Sequence, residues 1–165
     1  EACEETILVM LDHFYRRAYL GSSEANAGIL RLVAWENAHL GKNDDTGVKD
    51  TSRMAQEAYA YRSRIIWNDV SVGRIRELLE LGKPVILPAS LRDMGNVHFT
   101  NQSSIYHMTL LIGYENSQFI SHDPGTRYGA SYRYDASQLV SAIHDLTVPE
   151  HVIRTGKPAM LIVEN

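Results

Sequence analysis

Residues 5–17 read ETILVMLDHFYRR, and Ile7, Met10, Leu11 and Phe14 recur there at three- and four-residue intervals, which predicts an amphipathic helix with that face toward a core. Glu4 and Glu5 suit the electropositive start of such a helix, the two arginines suit its last turn, and Gly21 marks a stop. A second helix is expected over residues 24–39, with Ile29, Leu32, Val33 and Trp35 as its apolar positions. The polar, glycine-bounded GKNDDTGVKD over residues 41–50 interrupts the pattern and reads as a solvated connection, followed by a helical segment from about Arg53 to Tyr61. Ser71 is placed to cap a further helix carrying Val72, Ile75, Leu78, Leu79 and Leu81, closed by Gly82.

From Pro84 onward the period shortens. PVILP reads as a buried strand, YHMTLLIGY as a longer one and SQFISHD as a third, punctuated by Pro88, Gly95, Gly113 and Pro124-Gly125. ASYRY at residues 130–134 is a further strand, Asp135 caps a helix running to about His144, and PAMLIVE closes the chain as a strand. Helices first and hairpin-connected strands later predict an α+β fold in which an N-terminal helix packs on a mainly antiparallel sheet.

The 165 residues suit one domain able to bury a core without staples, expected to span residues 1–165 with a short upstream segment beyond Glu1. A net charge of −4 and the lack of a basic run exclude a nucleic-acid partner, and no apolar stretch is long enough for a membrane-spanning segment. The sequence leaves compartment and oligomeric state open; a leader upstream would place the protein outside the cytoplasm or at the cell envelope.

The chain has a single cysteine, Cys3, so no internal disulfide forms. Its place at a helix N-terminus favours a thiolate, while Glu4 and Glu5 oppose one. Counting back from a turn at Glu115-Asn116-Ser117 puts His107 opposite residue 124 or 125 and therefore beside Asp123. A carboxylate there fixes the imidazole tautomer and turns the other ring nitrogen toward a nucleophile. Against this stand plainer readings: a cysteine packed as a small hydrophobe, a structural strand histidine and a turn-forming aspartate. His98, His107, His122 and Asp123 match no compact metal-ligand spacing, and strand alternation keeps His107 and His122 on opposite faces, so neither a metal nor a cofactor is expected. His13, His39, His144 and His151 read as solvated, and the tyrosines as half-buried sheet residues.

The order of these motifs resembles the C39-like papain-type cysteine peptidases, in particular their free-standing bacterial branch. ACEETILVMLDHFYRR is similar to the helix that carries the family's cysteine, LLELGKPVILPAS to its helix and glycine-lysine-proline-valine strand, and YHMTLLIGYENSQFISHDPG to its histidine strand and aspartate-proline-glycine hairpin. The resemblance implies a papain-like α+β fold and a peptide or protein substrate, hydrolysed through a thioester. Cys3 would be the nucleophile, His107 the general base and acid, and Asp123 the residue orienting the imidazole. Family members usually carry a glutamine shortly before the cysteine as an oxyanion donor, a place that falls upstream of Glu1 here. Glu4 and Glu5 stand where glycine and proline are common, and Tyr106 where a small residue often precedes the histidine. A transglutaminase-like acyl transferase and a catalytically weak domain that binds peptides or proteins remain the alternatives.

Overall fold

The computed structural model describes residues 2–99 and 105–165. The chain runs α1 (Cys3–Arg16), α2 (Ser22–His39), α3 (Val48–Tyr59), β1 (Arg62–Trp67), α4 (Val72–Glu80), β2 (Val85–Ser90), β3 (Tyr106–Glu115), β4 (Gln118–His122), β5 (Tyr132–Asp135), α5 (Ala136–Ser141), a 3-10 helix (Glu150–Thr155) and β6 (Ala159–Glu164). The strands form one six-stranded sheet in the order β1-β6-β2-β3-β4-β5, and every pairing is antiparallel. The α+β expectation holds, with the helix bearing Cys3 packed against the sheet.

Two apolar clusters sandwich the sheet. Ile7, Leu8 and Leu11 of α1 pack with Leu32 of α2, Met54 of α3 and the Tyr106, Met108 and Leu110 side of β3. On the other face Ile75 and Leu78 of α4 and Leu139 of α5 pack with Leu87, Leu111 and Phe119. Covering from both sides explains why every residue of β2 is buried and why its sequence is apolar without alternation. Pro88 is tolerated in this central strand because pairing to β6 is limited to Ile86↔Leu161, leaving the Pro88 carbonyl to accept the His144 N–H at 3.2 Å.

Several expectations need correcting. α1 stops at Arg17, which adopts the left-handed conformation at φ 53° and donates its N–H to the Phe14 carbonyl, while Gly21 caps the start of α2. The buried face of α1 also differs from the apolar stripe: Phe14 is 57 % exposed, whereas Glu4, Glu5 and Asp12 are buried. The predicted third helix begins at Val48 and takes up the last residues of the polar 41–50 segment. Strand β1 was not expected. Its exposed Arg62 and Arg64 fit an edge strand paired on one side only, where charge discourages pairing with another chain.

A pair of buried carboxyl groups joins α1 to α2. Glu5 is 2 % exposed and Glu36 1 % exposed, and Glu36 is pushed up to about 9, first by burial and then by Glu5, with Glu4 and Asp44 adding to it. At neutral pH Glu36 therefore keeps its proton. The folded state holds this proton after the unfolded chain has lost it, so the contribution is full below the ordinary carboxylate range and is lost as pH rises toward 9. Glu36→Gln should flatten that decline. Between pH 6 and pH 9 the melting temperature of the wild type is expected to fall by several degrees more than that of the variant, and equal falls would show that Glu36 is not the titrating group.

Candidate functional site

His107 lies near the start of β3, and Asp123 follows the last residue of β4. A two-residue turn at Asn116 and Ser117, both with positive φ, joins the strands and pairs Glu115 with Gln118. A bulge between Leu111 and Gly113 shifts the register, so that Leu110 pairs with His122. Continued toward the strand start, this register brings the two candidate residues together: His107 Nε2 lies 2.8 Å from Asp123 Oδ1. The hairpin arithmetic of the sequence is realised.

Asp123 is held from all sides. Thr109 Oγ1 donates to its Oδ2 at 3.1 Å, the Gly125 N–H donates to Oδ1 at 3.1 Å, and the Tyr134 hydroxyl donates to Oδ2 while accepting from Asn96 Nδ2 at 2.8 Å. Burial alone would raise this carboxyl, but the hydrogen bonds from His107, Tyr134 and Gly125 outweigh it and hold Asp123 below the usual range. The carboxylate accepts from Nε2, which leaves Nδ1 as the ring nitrogen free to exchange a proton. The Phe99 ring packs edge-on against the imidazole, with centroids 4.9 Å apart. Thr109, two residues beyond His107 on the same strand face, was legible from alternation; Tyr134 and Asn96 reach the site only through long-range folding.

Cys3 occupies the first turn of α1 and is 6 % exposed. Its Sγ donates to Glu4 Oε2 at 3.0 Å. Burial, followed by the charge and hydrogen bond of Glu4, pushes the thiol well up; the backbone N–H of Met108 works in the opposite direction, and Asp45 adds to the rise. The helix N-terminus therefore does not win here, and the acidic neighbours seen in the sequence do. The contact with Met108 places the thiol one residue along β3 from His107. Among the described residues no hydrogen bond joins Cys3 to His107.

Cys3, Glu4 and Asp45 bring three donor atoms within 4.8 Å of one another. Both Glu4 oxygens are already engaged, one by the thiol and the other by the Thr46 N–H at 3.1 Å, so the group is bonded internally. His122 lies on the α1 side of the sheet with its Nδ1 accepting the Ser131 N–H at 3.2 Å, and His98 stacks on Tyr128, so the histidines near His107 do not converge on one point. Of the histidines expected to be solvated, His13 and His144 are half-buried, bonded through Nδ1 to the Val9 carbonyl at 3.1 Å and to the Gly156 carbonyl at 2.9 Å.

A groove of about 700 Å³ runs between the second half of α1 and the β3–β4 hairpin, lined by Met10, Leu11, Phe14, Leu110 and Ile112 and reaching Asp123 and Gly129. Phe14, exposed at the surface of α1, forms part of this wall. Among the described residues no helix is long and apolar enough to cross a membrane.

A family model, the Peptidase_C39 like family, matches residues 1–144. Among solved structures, one described as a C39-like peptidase from Bacillus anthracis superposes with a TM-score of 0.51 at 12 % identity, over 75 % of this chain and 62 % of that one, so this chain spans less than two thirds of its length. The peptidase domain of Streptococcus ComA, described as a bi-functional ABC transporter involved in a quorum-sensing pathway, superposes with a TM-score of 0.51 at 13 % identity, over 99 % of this chain and 90 % of that one. At these identities the likeness is one of fold. No curated protein matches the chain.

Proposed function

Because the chain belongs to the Peptidase_C39 like family, we propose that it hydrolyses peptide bonds with Cys3 as nucleophile, His107 as general base and acid, and Asp123 as the group that orients the imidazole. The observation that carries this reading is the buried His107–Asp123 hydrogen bond, built with its free nitrogen Nδ1 one residue from the backbone against which Cys3 rests.

In the reaction the Cys3 sulfur, its proton passed to His107 Nδ1, attacks the peptide carbonyl. His107 returns the proton to the leaving amine as the C–N bond breaks, and a thioester remains on Cys3. Water, deprotonated by His107, attacks the thioester and releases the acid and the thiol. The ionised Asp123 stabilises the imidazolium formed in each half. The Cys3 N–H precedes the first intrahelical bond of α1, from the Thr6 N–H to the Ala2 carbonyl, and supplies a hydrogen bond to the developing oxyanion. The apolar groove ending at Asp123 suits an apolar side chain of the substrate.

A second reading is favoured by one observation, the burial of a neutral thiol: a domain that binds peptides without cutting them. Incubation with a pool of unstructured peptides, read by mass spectrometry for new termini, separates the two. Cleavage at recurring sites is expected, and intact peptides that nevertheless co-purify with the protein would establish the binding reading instead.

A further inference from the structure

The segment over residues 44–47 does not run free in solvent. Thr46 is 1 % exposed; its N–H donates to Glu4 Oε1 at 3.1 Å, its carbonyl accepts from the Tyr106 hydroxyl at 3.1 Å, and its Oγ1 bonds Thr51 Oγ1 at 3.0 Å. Tyr106 precedes His107 in β3. Glu4, itself 1 % exposed, thus holds the thiol with one oxygen and the loop with the other, and the loop is tied in turn to the strand that carries the histidine.

We propose that Glu4 is a positioning residue that latches the site: it keeps Cys3 as a covered thiol bonded to its carboxyl group and pins the 44–47 loop above it, so that Cys3 engages His107 only when this contact is released. The inference rests on the peptidase reading. Physically, a thiolate is the attacking species, and a carboxylate 3.0 Å from the sulfur with Asp45 beside it opposes its formation by like charge in a buried setting. Burial lifts Glu4 itself to about 7 despite the thiol hydrogen bond, so its charge changes hands near neutrality. The other groups bearing on Glu4 are Asp45, Glu5, Glu36 and the Tyr106 phenol, all of them acids. Displacement of the loop by an arriving peptide would remove the Thr46 donor and hydrate the carboxyl group, freeing the thiol to turn to the imidazole.

Glu4→Gln tests the charge with little change of shape, since the amide oxygen can still accept from Thr46. Iodoacetamide alkylation of Cys3 needs no substrate and is followed against pH in both proteins. The variant is expected to react at least about tenfold faster at pH 7.5, with an apparent thiol pKa lower by about one unit or more. An unchanged or slower rate overturns the latch, and so does a faster rate with an unchanged pKa, which marks mere loosening. Hydrogen exchange reads the other half: the Thr46 amide should exchange about tenfold faster in Glu4→Ala than in the wild type, and equal protection overturns the pinning of the loop. Faster alkylation of Glu4→Gln without any peptide turnover would support the latch and sink the peptidase reading. Unchanged alkylation beside turnover that depends on Cys3 would do the reverse.

Discussion

Replacing Cys3 by alanine is expected to abolish peptide turnover, a loss of about a thousandfold or more, because no other side chain supplies a thiol and the imidazole alone cannot form the thioester. The fold should survive. Cys3 is a small side chain at the rim of the apolar cluster formed by α1, and losing its sulfur leaves a void no larger than one atom while relieving Glu4 of a donor. Peptide binding in the groove, which starts a helix turn or more away at Met10, should persist. Turnover per mole and melting temperature measured together check this, and a variant that cuts peptides at the wild-type rate would exclude Cys3 as the nucleophile.

Asp123→Ala should have a double effect. Turnover is expected to fall by about a hundred- to ten-thousandfold, since the imidazole loses both its orientation and the negative charge that stabilises its protonated form. Stability is expected to fall by about 3–5 kcal/mol, because the donors on His107, Thr109, Tyr134 and Gly125 are left facing a buried space without an acceptor. The acid side of the stability profile should change with it. Asp123 is held below the usual carboxylate range in the folded protein, so its contribution is present above that range and is lost as pH falls through the folded value. The variant should therefore lose less stability than the wild type on acidification. Denaturant titrations at pH 7 and pH 3.5 measure both legs; a variant as stable as the wild type at pH 7 would contradict the hydrogen-bonded role given to Asp123.

The sequence made the His107–Asp123 pair legible for a physical reason. A two-residue turn fixes the register of a hairpin, and the register fixes which residues face each other; the bulge at Leu111–Gly113 changes that count by one residue, within the range the turn allowed. The apolar run of β2 and the Ser71 and Asp135 caps were equally local, and Ser71 Oγ and Asp135 Oδ1 do accept the N–H groups of Arg74 and Gln138. What depended on distant partners was hidden. The stripe from Ile7 to Phe14 looked uniform, but α2 covers the acidic start of α1 and leaves Phe14 at the groove. The 41–50 segment looked solvated because its side chains are polar, yet Thr46 is buried by bonds to Glu4, Tyr106 and Thr51, which lie far apart in the chain. The same hidden contacts decide the state of Cys3: its charged neighbours were visible, but their burial, which makes their effect large, was not.

The most direct test of the central claim is to look for the thioester itself. The wild-type protein is mixed with an activated peptide ester matched to a cleavage site found in the peptide pool, quenched in acid within milliseconds to seconds, and measured by intact mass and by fragment sequencing. The account predicts an adduct of the acyl mass on the peptide that contains Cys3, absent from Cys3→Ala and discharged when neutral pH is restored. Product formation with no adduct on Cys3 at any time, or an adduct on another residue that Cys3→Ala retains, would contradict it.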